Sequence, residues 1–129
     1  MTVTISPEKM AVYRATARKK AARRKAALDV RHNHAWETAH IAARMLREDF
    51  DAQKVVVFGS LLNRRRFHER SDIDLAAWGI PERRYLRAVC QLLDLDPEFS
   101  FDLVRMEEAY EDTFRVSLVK TIEQEGVVL

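Results

Sequence analysis

The sequence contains a single cysteine, Cys90, so no disulfide can close within the chain. Three glycines and three prolines are spread over its 129 residues. No apolar run approaches the roughly 20 residues that span a bilayer. The first 25 residues hold no apolar block of the kind a secretion signal carries, only alanines among arginines and lysines. These shortages argue against a disulfide-stapled secreted scaffold and a helical membrane protein, and they fit a reducing cytoplasm. Against them stand 47% hydrophobic and 33% charged residues, the composition of a soluble globular domain rather than a disordered chain. This length supports one domain with a modest core.

The net charge of +2 conceals an asymmetry. Residues 1–31 carry nine Lys/Arg against Glu8 and Asp29, a net +7; residues 32–129 carry 13 basic and 18 acidic side chains, a net −5. A basic arm therefore precedes an acidic body.

Ser6 followed by Pro7 is an N-cap and first-turn pair. From there to Phe50 no further proline and no glycine occurs, and helix formers dominate. One long helix is expected, or two with a break near 30–33. Its first half, 8–27, has few large apolar residues (Met10, Val12, Tyr13) and is expected to be solvated or held by a partner. In its second half Trp36, Ile41, Met45 and Leu46 are expected to pack on the body.

Residues 54–58 form a short β-branched run closed by Gly59, which predicts a buried strand followed by a short helix from Ser60. Residues 72–77 alternate polar and apolar, as a half-buried strand does. Residues 81–93 predict a helix with Tyr85, Leu86, Val89, Leu92 and Leu93 inward and Cys90 buried. Residues 99–104 read as a third strand. Residues 107–125 read as a last helix with Tyr110, Phe114, Leu118 and Ile122 on one stripe, capped by Gly126. The order is α/β: a catalytic-sized body over 51–129 after a helical segment over 1–50.

Three fragments carry chemistry. On a strand Asp72 and Asp74 share one face, while Ile73 and Leu75 face the core. Neighbouring carboxylates repel and raise each other's pKa, an arrangement that makes sense around a hard cation such as Mg²⁺. Asp102, between Phe101 and Leu103, is a third carboxylate in a strand setting. If its strand lies beside the first pair, the three can hold two metal ions. Gly59 and Ser60 follow a buried strand, where a phosphate can approach the backbone and the hydroxyl closely. Arg64, Arg65 and Arg66 lie within reach of a triphosphate. Gly-Ser alone, or Asp-x-Asp alone, is a weak signal. The combination, at separations of eleven and twenty-seven residues, is not.

That combination resembles the signature of the DNA polymerase β-type nucleotidyltransferase superfamily, and within it the minimal nucleotidyltransferase (MNT-type) branch. Val56-Val-Phe-Gly-Ser60, Ser71-Asp-Ile-Asp-Leu75, Phe101-Asp-Leu-Val104 and the ending Glu125-Gly-Val-Val-Leu129 carry the likeness, which covers about residues 53–129. The resemblance implies a small mixed sheet with flanking helices. It implies that Gly59 and Ser60 hold the triphosphate of an NTP, with ATP the default, and that Asp72, Asp74 and Asp102 are catalytic and bind two Mg²⁺ ions. It also implies a HEPN-domain toxin as partner, with the chain as antitoxin adding AMP to it. A binding module that neutralises its partner by association alone is the alternative, and a small-molecule transferase of the aminoglycoside-modifying kind is a third reading. The stretch Leu61-Leu-Asn-Arg-Arg-Arg66 departs from the family by lacking a glycine after Gly-Ser.

His32, His34 and His40 cluster on the long helix, but His32 and His34 do not share a face and no cysteine pair accompanies them, so no zinc site is expected. His68 reads as an exposed loop residue. The arm over 14–25 has three readings: solvated, docked on an acidic partner helix, or bound to nucleic-acid phosphates. No membrane association is expected, and an underfilled helix points to an oligomer or hetero-complex.

Overall fold

The computed structural model describes residues 4–129; the first three residues of the helical segment expected over 1–50 lie outside them. A single unbroken helix, α1, runs Pro7–Phe50. Ser6 caps it, its hydroxyl accepting from the Lys9 amide at 3.3 Å. At the other end Asp51 adopts a left-handed conformation and returns its amide to the Leu46 carbonyl, the usual way of closing a helix without glycine. No break occurs near 30–33, because nothing in the sequence there opposes the helix.

Next come β1 (Lys54–Phe58), a 3₁₀ turn (Gly59–Leu62), β2 (Ile73–Trp78), α2 (Glu82–Leu95), β3 (Phe101–Arg105), α3 (Met106–Glu111), a second 3₁₀ turn (Thr113–Arg115), α4 (Val116–Glu125) and β4 (Val127–Val128). The four strands form one mixed sheet in the order β3-β2-β1-β4. β1 runs antiparallel to β2 and β4, and β2 runs parallel to β3. The fold is the expected α/β arrangement with a mixed sheet, flanking helices and a long N-terminal helix.

Strand alternation gives the sheet two different faces. Val55, Val57, Ile73, Leu75, Ala77 and Leu103 join one cluster with α1 and with Ala88 and Leu92 of α2. Val56, Phe58, Ala76 and Val104 join a smaller cluster with α3 and α4 through Met106, Ala109 and Ile122.

Several packing expectations are corrected. α1 docks by Ala35, Ala39, Ala42, Ala43, Leu46 and Phe50, all essentially buried, while Ile41 is 54% exposed. Leu46, with Trp36 and Met45 partly buried beside it, packs on the body as expected; Ile41 alone gives way to the alanine stripe, whose small side chains let the helix backbone approach the sheet closely. On α2, Ala88 and Leu92 are buried with Tyr85 and Val89 partly so; Leu86, Leu93 and Cys90 lie on the outer side. The expected last helix is two helices, interrupted at Asp112, whose carboxylate accepts from the Phe114 amide. That interruption turns Tyr110 and Phe114 outward, the latter 97% exposed. Gly126 does close α4, but with φ −63° rather than a left-handed turn. A Cβ there would lie 2.3 Å from Val56 Cγ1, so the position needs glycine for close approach to β1.

Candidate active site

The three strands of the signature lie side by side. Phe58 is in register with Asp74 across β1 and β2, and Asp74 with Asp102 across β2 and β3. Register partners in adjacent strands point to the same side of a sheet, so Asp74 and Asp102 stand together on the face that α3 and α4 cover incompletely. Asp72 lies one residue before β2 begins, not within it, two residues from Asp74 and on the same side. Its exposure, and that of Asp102 on the edge strand, leaves the site open to solvent. Asp74 is half-buried between them.

The electrostatics follow from that placement. Burial, then the charge of Asp102, then that of Asp72 push the Asp74 carboxyl from 3.8 up to about 6. Three acids thus crowd one patch with no basic side chain paired to them among the described residues.

Gly59 completes the patch. Its φ is +78°, a conformation L side chains rarely adopt, and a Cβ would fall 2.2 Å from the Asp74 Oδ2. Glycine is therefore required twice over: for the turn that leaves β1, and for the space against the carboxylate. Ser60, half-buried, is the second residue of the 3₁₀ turn that Gly59 begins; this is the short helix expected from Ser60, one residue earlier. The turn is anchored from outside by α1, where His32 Nε2 donates to the Leu61 carbonyl at 2.9 Å.

Of the arginine run, Arg64 is turned toward α1 and pairs with Asp29. Arg65 and Arg66 are exposed in the loop and make no ion pair among the described residues. His68, exposed as expected, accepts from the Arg70 amide. Ser71 is buried and takes the His68 amide on its hydroxyl, fixing the approach to Asp72.

Two features escaped sequence reasoning. Tyr85 donates to the Leu103 carbonyl at 2.6 Å, and burial together with the nearby Asp102 raises its phenol pKa. The other is a polar clamp where α1 meets the loop after α2: the ring nitrogens of His34 meet Asp96 at 2.8 Å and Glu98 at 3.0 Å. Thr38 donates to the same Asp96, and the Arg31 guanidinium lies 4.5 Å over Phe99. His34, Asp96 and Glu98 are close enough to hold a cation. Each ring nitrogen is already matched to a carboxylate, however, so the cluster is better explained as the joint that seats α1. The partners of His34 lie over sixty residues away, a distance at which no spacing rule operates.

The acidic patch fits a hard divalent ion: its donors are oxygens only, and its central carboxyl carries an unfavourable charge that a cation would relieve. Residues 42–129 match the family model described as "Polymerase beta, Nucleotidyltransferase". The match spans more than half the chain, and the protein belongs to that nucleotidyltransferase family. No curated protein matches the chain. Membership supports a nucleotidyltransferase-type activity in general. None of the described helices is long and apolar enough to cross a membrane.

Proposed function

We infer that the chain transfers a nucleoside monophosphate from an NTP, with ATP the assumed donor, to an acceptor hydroxyl in a Mg²⁺-dependent reaction. The observation that supports this most strongly is the register of Asp74 with Asp102, beside a glycine whose missing side chain leaves room against the Asp74 carboxylate. In this reading Asp72, Asp74 and Asp102 hold the metal ions. Bound Mg²⁺ supplies charge neutralisation for the α-phosphate and the departing pyrophosphate. Gly59 and Ser60 offer backbone and hydroxyl to the triphosphate, and Arg65 is free to turn toward it while Arg64 first has to leave Asp29. The acceptor oxygen bonds to the α-phosphorus, the bond between that phosphorus and the bridging oxygen breaks, and pyrophosphate leaves. In this reading Asp102, exposed on the edge strand, takes the hydroxyl proton.

The acceptor in this proposal is a protein hydroxyl on a HEPN-domain partner, as the resemblance implies, which would make the chain an antitoxin that acts by AMP transfer. The solvent exposure of Asp72 and Asp102 supports a large acceptor over an enclosed small molecule. The second reading, neutralisation by association without chemistry, has the largely uncovered first half of α1 in its favour.

The deciding experiment incubates the protein with Mg²⁺ and α-³²P-labelled NTPs, with and without a candidate HEPN partner. Label on protein that vanishes in Asp72→Asn/Asp74→Asn supports the transferase. Tight partner binding without label from any NTP supports association alone.

A further inference from the structure

Between Glu8 and Asp29, α1 carries eight Lys/Arg and no acid, and seven of the eight fall within residues 14–25. All seven side chains are exposed. At 100° per residue they point in three directions: Arg14, Arg18 and Lys25 on one side, Lys19 and Arg23 on a second, Lys20 and Arg24 on a third. Pairs four apart repel along the helix, and no acidic residue pairs with any of them among the described residues. The positions between them are alanine and threonine. The large apolar residues, Met10, Val12 and Tyr13, sit at the tip, so the charged stretch lacks the apolar stripe by which a partner helix docks. The same stretch of a second copy carries the same positive charge and is repelled.

What complements charge on several sides of one helix is a groove walled by anions. Twelve residues rise about 18 Å, a length over which duplex DNA presents roughly ten phosphates. A helix about 10–12 Å across fits the B-form major groove, about 12 Å wide, whereas the A-form groove of duplex RNA is too narrow. We propose that residues 14–25 of α1 lie in the major groove of duplex DNA and hold phosphates on both of its walls. Arg24 shares a cleft with Leu28, His68, Glu69 and Arg70, so a second arginine stands beside the arm on the loop that leads to Asp72, with one acid next to it. The proposal goes beyond the transferase reading and stands whether or not that reading holds.

The test uses the full chain and a fluorescein-labelled DNA duplex of about two turns, followed by anisotropy from about 50 to 200 mM salt. The expected slope of log K against log salt is about −5, for five to six phosphates contacted. Two variants probe opposite sides: Lys19→Gln/Lys20→Gln/Arg23→Gln/Arg24→Gln and Arg14→Gln/Arg18→Gln/Lys25→Gln. Glutamine keeps helix propensity, and circular dichroism checks that helicity is retained. Each variant is expected to bind at least about tenfold more weakly at low salt, with a slope shallower by two or more. A duplex RNA of the same sequence is expected to bind at least about tenfold more weakly than DNA. A wild-type slope shallower than about −2, equal affinity for both duplexes, or an effect confined to one variant would overturn the groove-bound arm.

Discussion

The two faces of the sheet are built on opposite terms. The face under α1 and α2 is closed: Val55, Val57, Leu75, Leu46 and Phe50 exclude water, and nearly every group there gains from folding. The face under α3 and α4 is closed at one end by Val56, Ala76, Val104 and Ile122, and at the other it ends in Asp74, Asp102 and Asp72. There folding brings like charges together and half-buries one of them. Stability is therefore concentrated on one side of a sheet only four strands wide, and the strain that a substrate or cation can relieve lies on the other.

Substitutions should separate the two faces, beginning with the largest effect. Phe50→Ala, on the closed face, is expected to cost about 3–5 kcal/mol in chemical denaturation. Divalent-ion affinity per folded molecule should be unchanged. Asp74→Asn, on the open face, is expected to do the reverse. Label transfer should fall by more than about a hundredfold, since even groups that only support a metal ligand can cost that much. The metal-free protein should become more stable.

The sign of that gain follows from the carboxyl's raised value of about 6 in the folded state. Below about pH 4 the group is protonated folded or unfolded, and its contribution is fully present. As pH rises through about 6 the contribution is lost, because the unfolded chain ionises more readily. With Asp74 half exposed, solvent screening reduces the difference to on the order of 1 kcal/mol at neutral pH. Wild type and Asp74→Asn should therefore agree in stability at about pH 4 and diverge by pH 7, and saturating Mg²⁺ should close the gap. A constant difference across that range would sever the carboxyl's titration from the strain on this face.

A smaller effect is expected from Gly59→Ala. The left-handed backbone costs about 1–2 kcal/mol, and the new methyl displaces the Asp74 carboxylate, so divalent-ion affinity measured calorimetrically should drop by about tenfold or more. The smallest belongs to His32→Ala, which removes one hydrogen bond to the Leu61 carbonyl. A loss of about 1 kcal/mol is expected, appearing as a several-fold rise in KM for the nucleotide with kcat little changed. A fall in kcat alone would detach His32 from the nucleotide-binding turn.

What the sequence revealed divides along similar lines. Strand runs bounded by glycine, the Asp-x-Asp alternation and the isolated Asp102 are local patterns, and the sheet places Asp74 and Asp102 as those patterns suggest, with Asp72 one residue outside its strand. The errors arose where spacing defines a stripe but not which stripe is covered. Leu86 and Leu93 form a regular apolar row on α2, yet Ala88 and Leu92 face the sheet. Ile41 similarly yields to the alanines of α1. At Asp112 the apolar period from Tyr110 to Ile122 suggested one continuous helix, where the Asp112 carboxylate in fact takes the Phe114 amide and ends α3. β4, two residues long, offers no period to read. The joint of Arg31, His34 and Thr38 with the loop at 96–99 is set by tertiary contact alone.

That joint also makes α1 a lever. Arg31, His32 and His34 grip the body, with the Asp29–Arg64 pair just outside them, and beyond Arg31 the helix continues for some 24 residues, about 36 Å, to Pro7. A rotation of about 5° about this fulcrum swings the tip by about 3 Å on the 1.5 Å rise per residue. The His32 ring, close to the pivot, travels only tenths of an ångström by the same geometry. A push at the far end would therefore reach the Leu61 carbonyl, through the His32 hydrogen bond, as a small displacement backed by a long arm.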